Sequence, residues 1–201
     1  MSETAKRRIV LASSNKNKLR EVRQILEGSD LEVIPLSETE FAGEIIEDGK
    51  TFEENAYIKA KTVSDALGVA ALADDSGLEI DALGKEPGVH SARFMGEDTS
   101  YDIKNTELLR RMEGVAEQDR TARFVCAMVV VWPDGKKLSA VETMEGRIAY
   151  KIAGENGFGY DPIFFLPEYG KTSAEIAPEE KNAISHRGKA LRKMAQLLRE
   201  A

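Results

Sequence analysis

Cysteine is all but missing from this chain: Cys126 is the only one among 201 residues. That excludes an internal disulfide and any CxxC metal site. Set in the apolar run 124–131, the thiol reads as a buried, inert group rather than a nucleophile. Histidine is almost as scarce. With only His90 and His186, a zinc site of two or three histidines is ruled out, and a Ser-His-Asp triad would have to use one of them without a GxSxG elbow. No run reaches the roughly 18 continuous apolar residues of a membrane helix, and the apolar stretch after the polar MSETAKRR is too short for a secretory h-region. A soluble, cytoplasmic protein is the expectation. Basic residues are outnumbered, 28 Lys and Arg against 35 Asp and Glu, a net charge of -7. That argues against a nucleic acid as the main partner, while leaving room for a local basic pocket for a small phosphate ligand.

What is present is a globular composition, 42% hydrophobic and 31% charged, with neither an internal repeat nor a low-complexity linker. The length suits one core or two lobes sharing a sheet. Apolar runs predict strands at 9–12, 31–36, 69–73, 123–132, 138–149 and 163–166. Leu19, Val22, Ile25 and Leu26 share one helical face, with Gly28 as a stop. Thr51-Phe-Glu-Glu54 is a capping box, opening a helix whose stripe is Phe52, Ala56, Ala60, Val63 and Leu67. Further helices are expected over 101–112 and 183–200. The segment 123–132 is apolar on both faces and reads as a central strand, and Pro133-Asp-Gly135 supplies the turn to its partner. Strands and helices alternate around a hairpin, so the fold is α/β with a mixed sheet and flanking helices.

Four polar segments sit where chemistry could be done. Ser13-Ser14-Asn15-Lys16-Asn17-Lys18 joins a strand to a helix, where free amides, hydroxyls and ammonium groups suit phosphate oxygens. It lacks the glycines and GK[ST] ending of a Walker A loop, and an ordinary N-cap with solvated lysines fits it as well. Asp74-Asp75-Ser76-Gly77 follows a small apolar strand. Adjacent carboxylates there are costly without a cation or donors, and hard oxygen ligands beside phosphates suit magnesium. Neighbouring strand residues alternate direction, so one of the two faces the ligand; an Asx-type turn is the plainer reading. Glu47-Asp48-Gly49 could donate a second carboxylate or form an exposed acidic loop; the helix after it adds Glu53, Asn55 and Lys59, the last either reaching inward on the apolar side or solvated, as lysines more commonly are. The fourth segment is Gly154 to Asp161, with Lys181 and Ser185-His186-Arg187 further on. Its glycines let backbone approach a ligand closely, Phe158 offers a stacking face, and His186 and Arg187 are donors for carbonyl and phosphate oxygens. A tight turn before a helix is the alternative.

Taken together the chain resembles the inosine and xanthosine triphosphate pyrophosphatase family, nearly end to end. The residues that carry the resemblance are Ser13-x-Asn15-x-x-Lys18, Glu47-Asp-Gly-x-Thr-Phe-x-x-Asn55-Ala, Ala73-Asp-Asp-Ser-Gly-Leu78, Pro87-Gly-x-x-Ser-Ala-Arg93, Gly157-Phe-Gly-Tyr-Asp-Pro162 and Ser185-His-Arg187. No position in these motifs departs from the family's pattern. The resemblance implies one elongated domain of two lobes over residues 1–201, a substrate cleft between them and a homodimer; the charge balance and the short apolar runs add the expectation of no nucleic-acid or membrane partner. It implies hydrolysis of ITP, dITP and XTP to the monophosphate and pyrophosphate, with water attacking the α-phosphorus. By the same resemblance Ser13 to Lys18 hold the triphosphate, Glu47 and Asp75 hold Mg2+, and Asp75 is the general base. Lys59 lies near the phosphates, and Ser76 contacts substrate. Phe158 stacks on the base, with Gly159, Tyr160, Asp161, Lys181, His186 and Arg187 completing the nucleotide pocket.

Overall fold

A computed structural model describes residues 7–201; the first six residues of the polar N-terminal stretch lie outside the described residues. The chain divides into two compact units. The first holds residues up to Asp75 with Cys126–Glu142 and Gly188–Ala201; the second holds Ser76–Val125 and Thr143–Arg187.

In the first unit β1 (Arg7–Leu11) pairs in parallel with β2 (Leu31–Pro35) on one side and with the start of β3 (Ala71–Ile80) on the other, Leu11 lying opposite Leu72. Helix α1 (Lys16–Ile25) links β1 to β2, and α2 (Phe52–Leu67) links β2 to β3. The chain therefore steps outward from β1 and then back across it. Right-handed crossovers of opposite direction place α1 and α2 on opposite faces of the sheet. They also make the carboxyl ends of β1 and β3 a topological switch point, where α/β sheets bind ligands.

Local chemistry explains the helices. Asn15 caps α1, its side chain accepting from the amides of Asn17 and Lys18. The capping box at Thr51 and Glu54 closes in both directions, and Gly68 ends α2 with φ 65°. Val22, Ala56, Ala60 and Val63 on the expected stripes have no exposed surface. Leu11, Leu72, Met128 and Val130 pack with Leu191 and Met194 of α5 (His186–Glu200) into the core of this unit.

The sheet order is β2-β1-β3-β4-β5-β6-β7. Strand β4 (Thr121–Val131) is buried almost throughout, as its two-faced apolar sequence requires; β5 (Lys137–Ile148) returns from it through the Pro133–Gly135 turn. Antiparallel β6 (Phe164–Leu166) and β7 (Lys171–Thr172) finish a mixed sheet. In the second unit α3 (Tyr101–Arg111) buries Leu108 against Leu78, Ile80, Phe124 and Phe164. Truncating such a side chain to Ala costs about 2–5 kcal/mol. No helix among the described residues is long and apolar enough to cross a membrane.

Two elements differ from the sequence expectation. The strand expected over 69–73 does not stop before the Asp pair: β3 continues through Asp74, Asp75 and Ser76 to Ile80. Its pairing with β1 ends near Leu72, but β4 lies along its other side. The expected helix 183–200 is two helices, α4 (Pro178–Ile184) and α5, separated at Ser185. Ser185 takes extended backbone (φ -66°, ψ 153°), the conformation of a residue that precedes a new helix.

Candidate active site

Because β3 outruns β1, its two acidic residues stand beside the loop that leaves β1. Strand alternation then separates them. Asp74, 1% exposed, faces α1, with Lys18 Nζ 3.0 Å from its Oδ2. Asp75, 8% exposed, faces α2, with Lys59 Nζ 3.2 Å from its Oδ1. Lys59 reaches a second carboxylate as well, Glu47 Oε2 at 2.9 Å. Four of the residues picked from sequence, Lys18, Glu47, Lys59 and Asp75, are thus gathered at the switch point of one unit.

The loop from Ser13 to Lys18 is more engaged with itself than its sequence suggested. Asn15 Oδ1 accepts from the amides of Asn17 and Lys18, and Ser13 Oγ accepts from the amide of Asn15. These amides are therefore turned inward, and Lys18 carries the positive charge into the site. Ser14 and Lys16 are exposed.

Electrostatics follow from burial. Desolvation pushes the Asp75 carboxyl above its ordinary value, against the lowering pull of Lys59, Lys18 and the Asn55 amide. Desolvation also works against the Lys59 ammonium, but Asp75, Asp74 and Glu47 together outweigh it and hold that lysine above its usual value. Asp75 is thus a stronger base than an exposed carboxylate.

Glu47 and Asp75 converge on one cation, which is the test of whether they fit a metal ion. Among the described residues no group of three or more His, Cys, Asp or Glu forms a metal cluster. Two carboxylates without a protein cage suit Mg2+, which completes its shell with water and phosphate oxygens. They do not suit zinc or an all-protein calcium site.

The second unit assembles the other set. Gly157 (φ 74°) turns the chain so tightly that a Cβ would lie 2.1 Å from Asp161 Oδ2. Asp161, 2% exposed, accepts from the Phe158 amide at 2.8 Å, Ser173 Oγ at 2.7 Å and Lys181 Nζ at 2.6 Å. Its carboxylate therefore anchors the loop that presents Phe158. Cations flank that ring, Lys181 Nζ 5.2 Å and the Arg187 guanidinium 5.6 Å from its centroid. Arg187 Nη2 also donates to Ser76 Oγ at 3.3 Å, and His186 stacks on Phe124 at 4.9 Å. The break at Ser185 makes His186 and Arg187 the first residues of α5. Tyr160 turns into the core instead: its hydroxyl donates to Ser91 O at 2.7 Å, and burial pushes its phenol well above the usual value. Gly159 offers its carbonyl to Asn105 Nδ2 at 3.1 Å.

Sequence reasoning gave no role to Ser173 or Phe124, and none to Asn55 beyond its place in the motif that opens at Glu47. Asn55, with no exposed surface, donates Nδ2 to Asp75 Oδ2 at 3.1 Å and accepts the Gly49 amide on Oδ1 at 2.8 Å. It ties the Glu47 loop to the Asp pair, and a Cβ on Gly49 would lie 2.6 Å from its Oδ1. The available signal was a polar residue beside the apolar stripe of α2. Ser173 and Phe124 carry no such signal, since their partners are remote in sequence.

Residues 9–197 match the model of the Ham1 family. The chain is 46% identical over 191 residues to a dITP/XTP pyrophosphatase of Desulforamulus reducens, covering 95% of each chain. It is 50% identical over 187 residues to one of Geobacillus kaustophilus, covering 92% of this chain and 91% of that one. Among solved structures, a HAM1 protein from Coxiella burnetii superposes with a TM-score of 0.88 at 42% identity, over 96% of this chain and 99% of the other. With a fold and a sequence shared over nearly their full lengths, this chain belongs to the Ham1 family.

Proposed function

We propose that the chain hydrolyses deaminated purine nucleoside triphosphates (ITP, dITP and XTP) to the monophosphate and pyrophosphate, so keeping them out of DNA and RNA. The observation that carries this reading is the set Lys18, Glu47, Lys59 and Asp75 at the switch point, in a chain whose relatives are named dITP/XTP pyrophosphatases.

In this reading the triphosphate is the ligand of the loop Ser13 to Lys18 and of Lys59. Glu47 and Asp75 hold Mg2+. When bound, that ion supplies charge stabilisation for the departing pyrophosphate and acidifies nearby water. Asp75, made more basic by burial, orients the attacking water and accepts its proton. Lys18 and Lys59 offset charge that builds on the phosphate oxygens as the bond to the α-phosphorus breaks. The base is the ligand of the second set: Phe158 stacks on it, Arg187 and His186 donate to it, and Ser76 contacts the substrate. Asp161, Gly159 and Tyr160 hold that loop in place. The working form is a cytoplasmic homodimer.

A donor-lined pocket accepts the C6 carbonyl of inosine or xanthosine but meets the adenine amine donor to donor. Each donor left unpaired costs roughly 1–3 kcal/mol, so kcat/KM for ATP should fall about two orders of magnitude below that for ITP. GTP should be rejected less strongly on this ground, since its C6 carbonyl fits. The test compares ITP, XTP, GTP and ATP with Mg2+ and identifies the products. Orthophosphate instead of pyrophosphate makes the chain a γ-phosphatase, and equal values for ATP and ITP remove the pool-cleansing role.

A further inference from the structure

Lys59 has a peculiar station for a phosphate-binding residue. Its ammonium lies 2.9 Å from Glu47 Oε2 and 3.2 Å from Asp75 Oδ1, the two carboxylates assigned above to the metal. Asn55 explains why the contact falls on that oxygen of Asp75. Its amide donates to Oδ2 and is itself oriented by the Gly49 amide, so Oδ1 is turned towards Lys59. The same asparagine holds the Glu47 loop against α2. The two carboxylates are therefore pre-set around one cation-sized position, with a side-chain cation in it.

We propose that Lys59 is a resident stand-in for the divalent cation, which must vacate the position between Glu47 and Asp75 before a metal ion enters. This rests on the assignment of the metal to that carboxylate pair. A divalent ion bonds carboxylate oxygens at about 2.0–2.6 Å. With the ammonium about 3 Å from the same two oxygens, both cations would stand within a few ångströms of each other, where like charges repel strongly. Lys59 has the means to leave: a flexible stem of four methylenes can swing its head without moving α2. It does not leave for an apolar surface, because a buried ammonium needs a partner. An incoming phosphate supplies one. Metal entry and the release of Lys59 to the substrate then become a single exchange, so that each favours the other. In the absence of nucleotide the stand-in keeps the paired carboxylates balanced and the affinity for metal low.

The experiment measures Mn2+ binding to the full chain without nucleotide, by the loss of free-ion EPR signal, for wild type, Lys59→Met, Lys59→Gln and Asp75→Asn. Both lysine variants should bind Mn2+ at least ten-fold more tightly than wild type. Their melting temperatures should also rise more on adding Mn2+ than that of wild type, since each removes the ammonium that stands between Glu47 and Asp75. If Lys59→Met folds only with the ion present, recovery of its circular dichroism on Mn2+ titration supports the proposal equally. Unchanged or weaker binding in both lysine variants, with binding lost in Asp75→Asn, overturns the stand-in and leaves the metal assignment standing. Wild-type binding in Asp75→Asn overturns the metal assignment and the stand-in with it.

Discussion

In the first unit the buried acids Asp74 and Asp75 face ammonium groups on long stems that arrive from two different helices. In the second, Asp161 is enclosed by an amide, a hydroxyl and a lysine, every one of them part of its own loop and the segments packed on it. On the proposal above, the first arrangement exchanges its ammonium for another cation at little cost in structure. The second cannot, because removing any partner releases the loop. Buried carboxylates thus stand in two settings in one chain: those on β3 beside the end of β1 face side-chain cations, and the one beside Phe158 holds backbone.

The comparison breaks most visibly at Asp161. Asp161→Asn keeps the shape but removes the buried carboxylate 2.6 Å from Lys181 Nζ, and breaking such a pair costs about 3–5 kcal/mol. Denaturant unfolding should show it; a loss under ~1 kcal/mol would mean that the carboxylate is not structural and is available to a ligand. Asp75→Asn should do the reverse. It leaves a folded protein in which turnover of ITP falls at least ~100-fold, the lower end for a general base or metal ligand. Near-wild-type turnover removes Asp75 from the mechanism. Asp74→Asn should lose less, since Asp74 faces Lys18 and not the Glu47 side, and equal losses would contradict that division.

Phe158→Ala sharpens the contrast from the other side. It should weaken nucleotide binding by about 1–3 kcal/mol, the usual value of one base stack, to a similar extent for every base accepted. Calorimetry on the catalytically silent Asp75→Asn background measures this directly, and unchanged binding would make Phe158 a turn residue only.

The smallest effect concerns stability and pH. Burial raises the Asp75 carboxyl in the folded state. A group raised on folding contributes stability that is fully present below its unfolded value, about 3.9 for Asp, and is lost as pH rises through the folded value. Ionised Asp75 therefore weakens the metal-free protein at pH 7. Asp75→Asn should melt no lower than wild type there, and its relative advantage should shrink as the pH is brought down towards 4. A marked drop in melting temperature at pH 7 would show that the pairing with Lys59 outweighs the burial. At Asp81 the sign is opposite, because hydrogen bonds from Arg123 and Thr121 depress its carboxyl. The stability that group contributes is present above the ordinary Asp value and disappears in acid.

The helices were legible where local rules suffice. The capping box at Thr51 needed only a Thr and a Glu three residues apart, Gly68 marks the helix stop that its backbone freedom permits, and Gly135 likewise marks the turn after β4. The end of the third apolar strand was not legible. Nothing local in Ala73-Asp74-Asp75-Ser76 favours extended backbone, and the strand persists there as part of a sheet in which β4 runs along its other edge. The break at Ser185 was missed for a related reason, since helical periodicity runs through it unchanged.

Among the candidate site residues, identity was readable and partnership was not. A carboxylate pair, two lysines and an aromatic between glycines announce themselves by type. That Lys18 meets Asp74 while Lys59 meets Asp75 and Glu47 depends on α1 and α2 covering opposite faces of one sheet. The amino-acid order by itself determined the alternating elements, their caps and the family. Only the tertiary structure decided which cation each acid holds, that Asn55 governs the facing oxygen of Asp75, and that Asp161 anchors a loop. Those choices are contacts between segments far apart in the chain, and crossover handedness and burial bring such segments together where no local preference can.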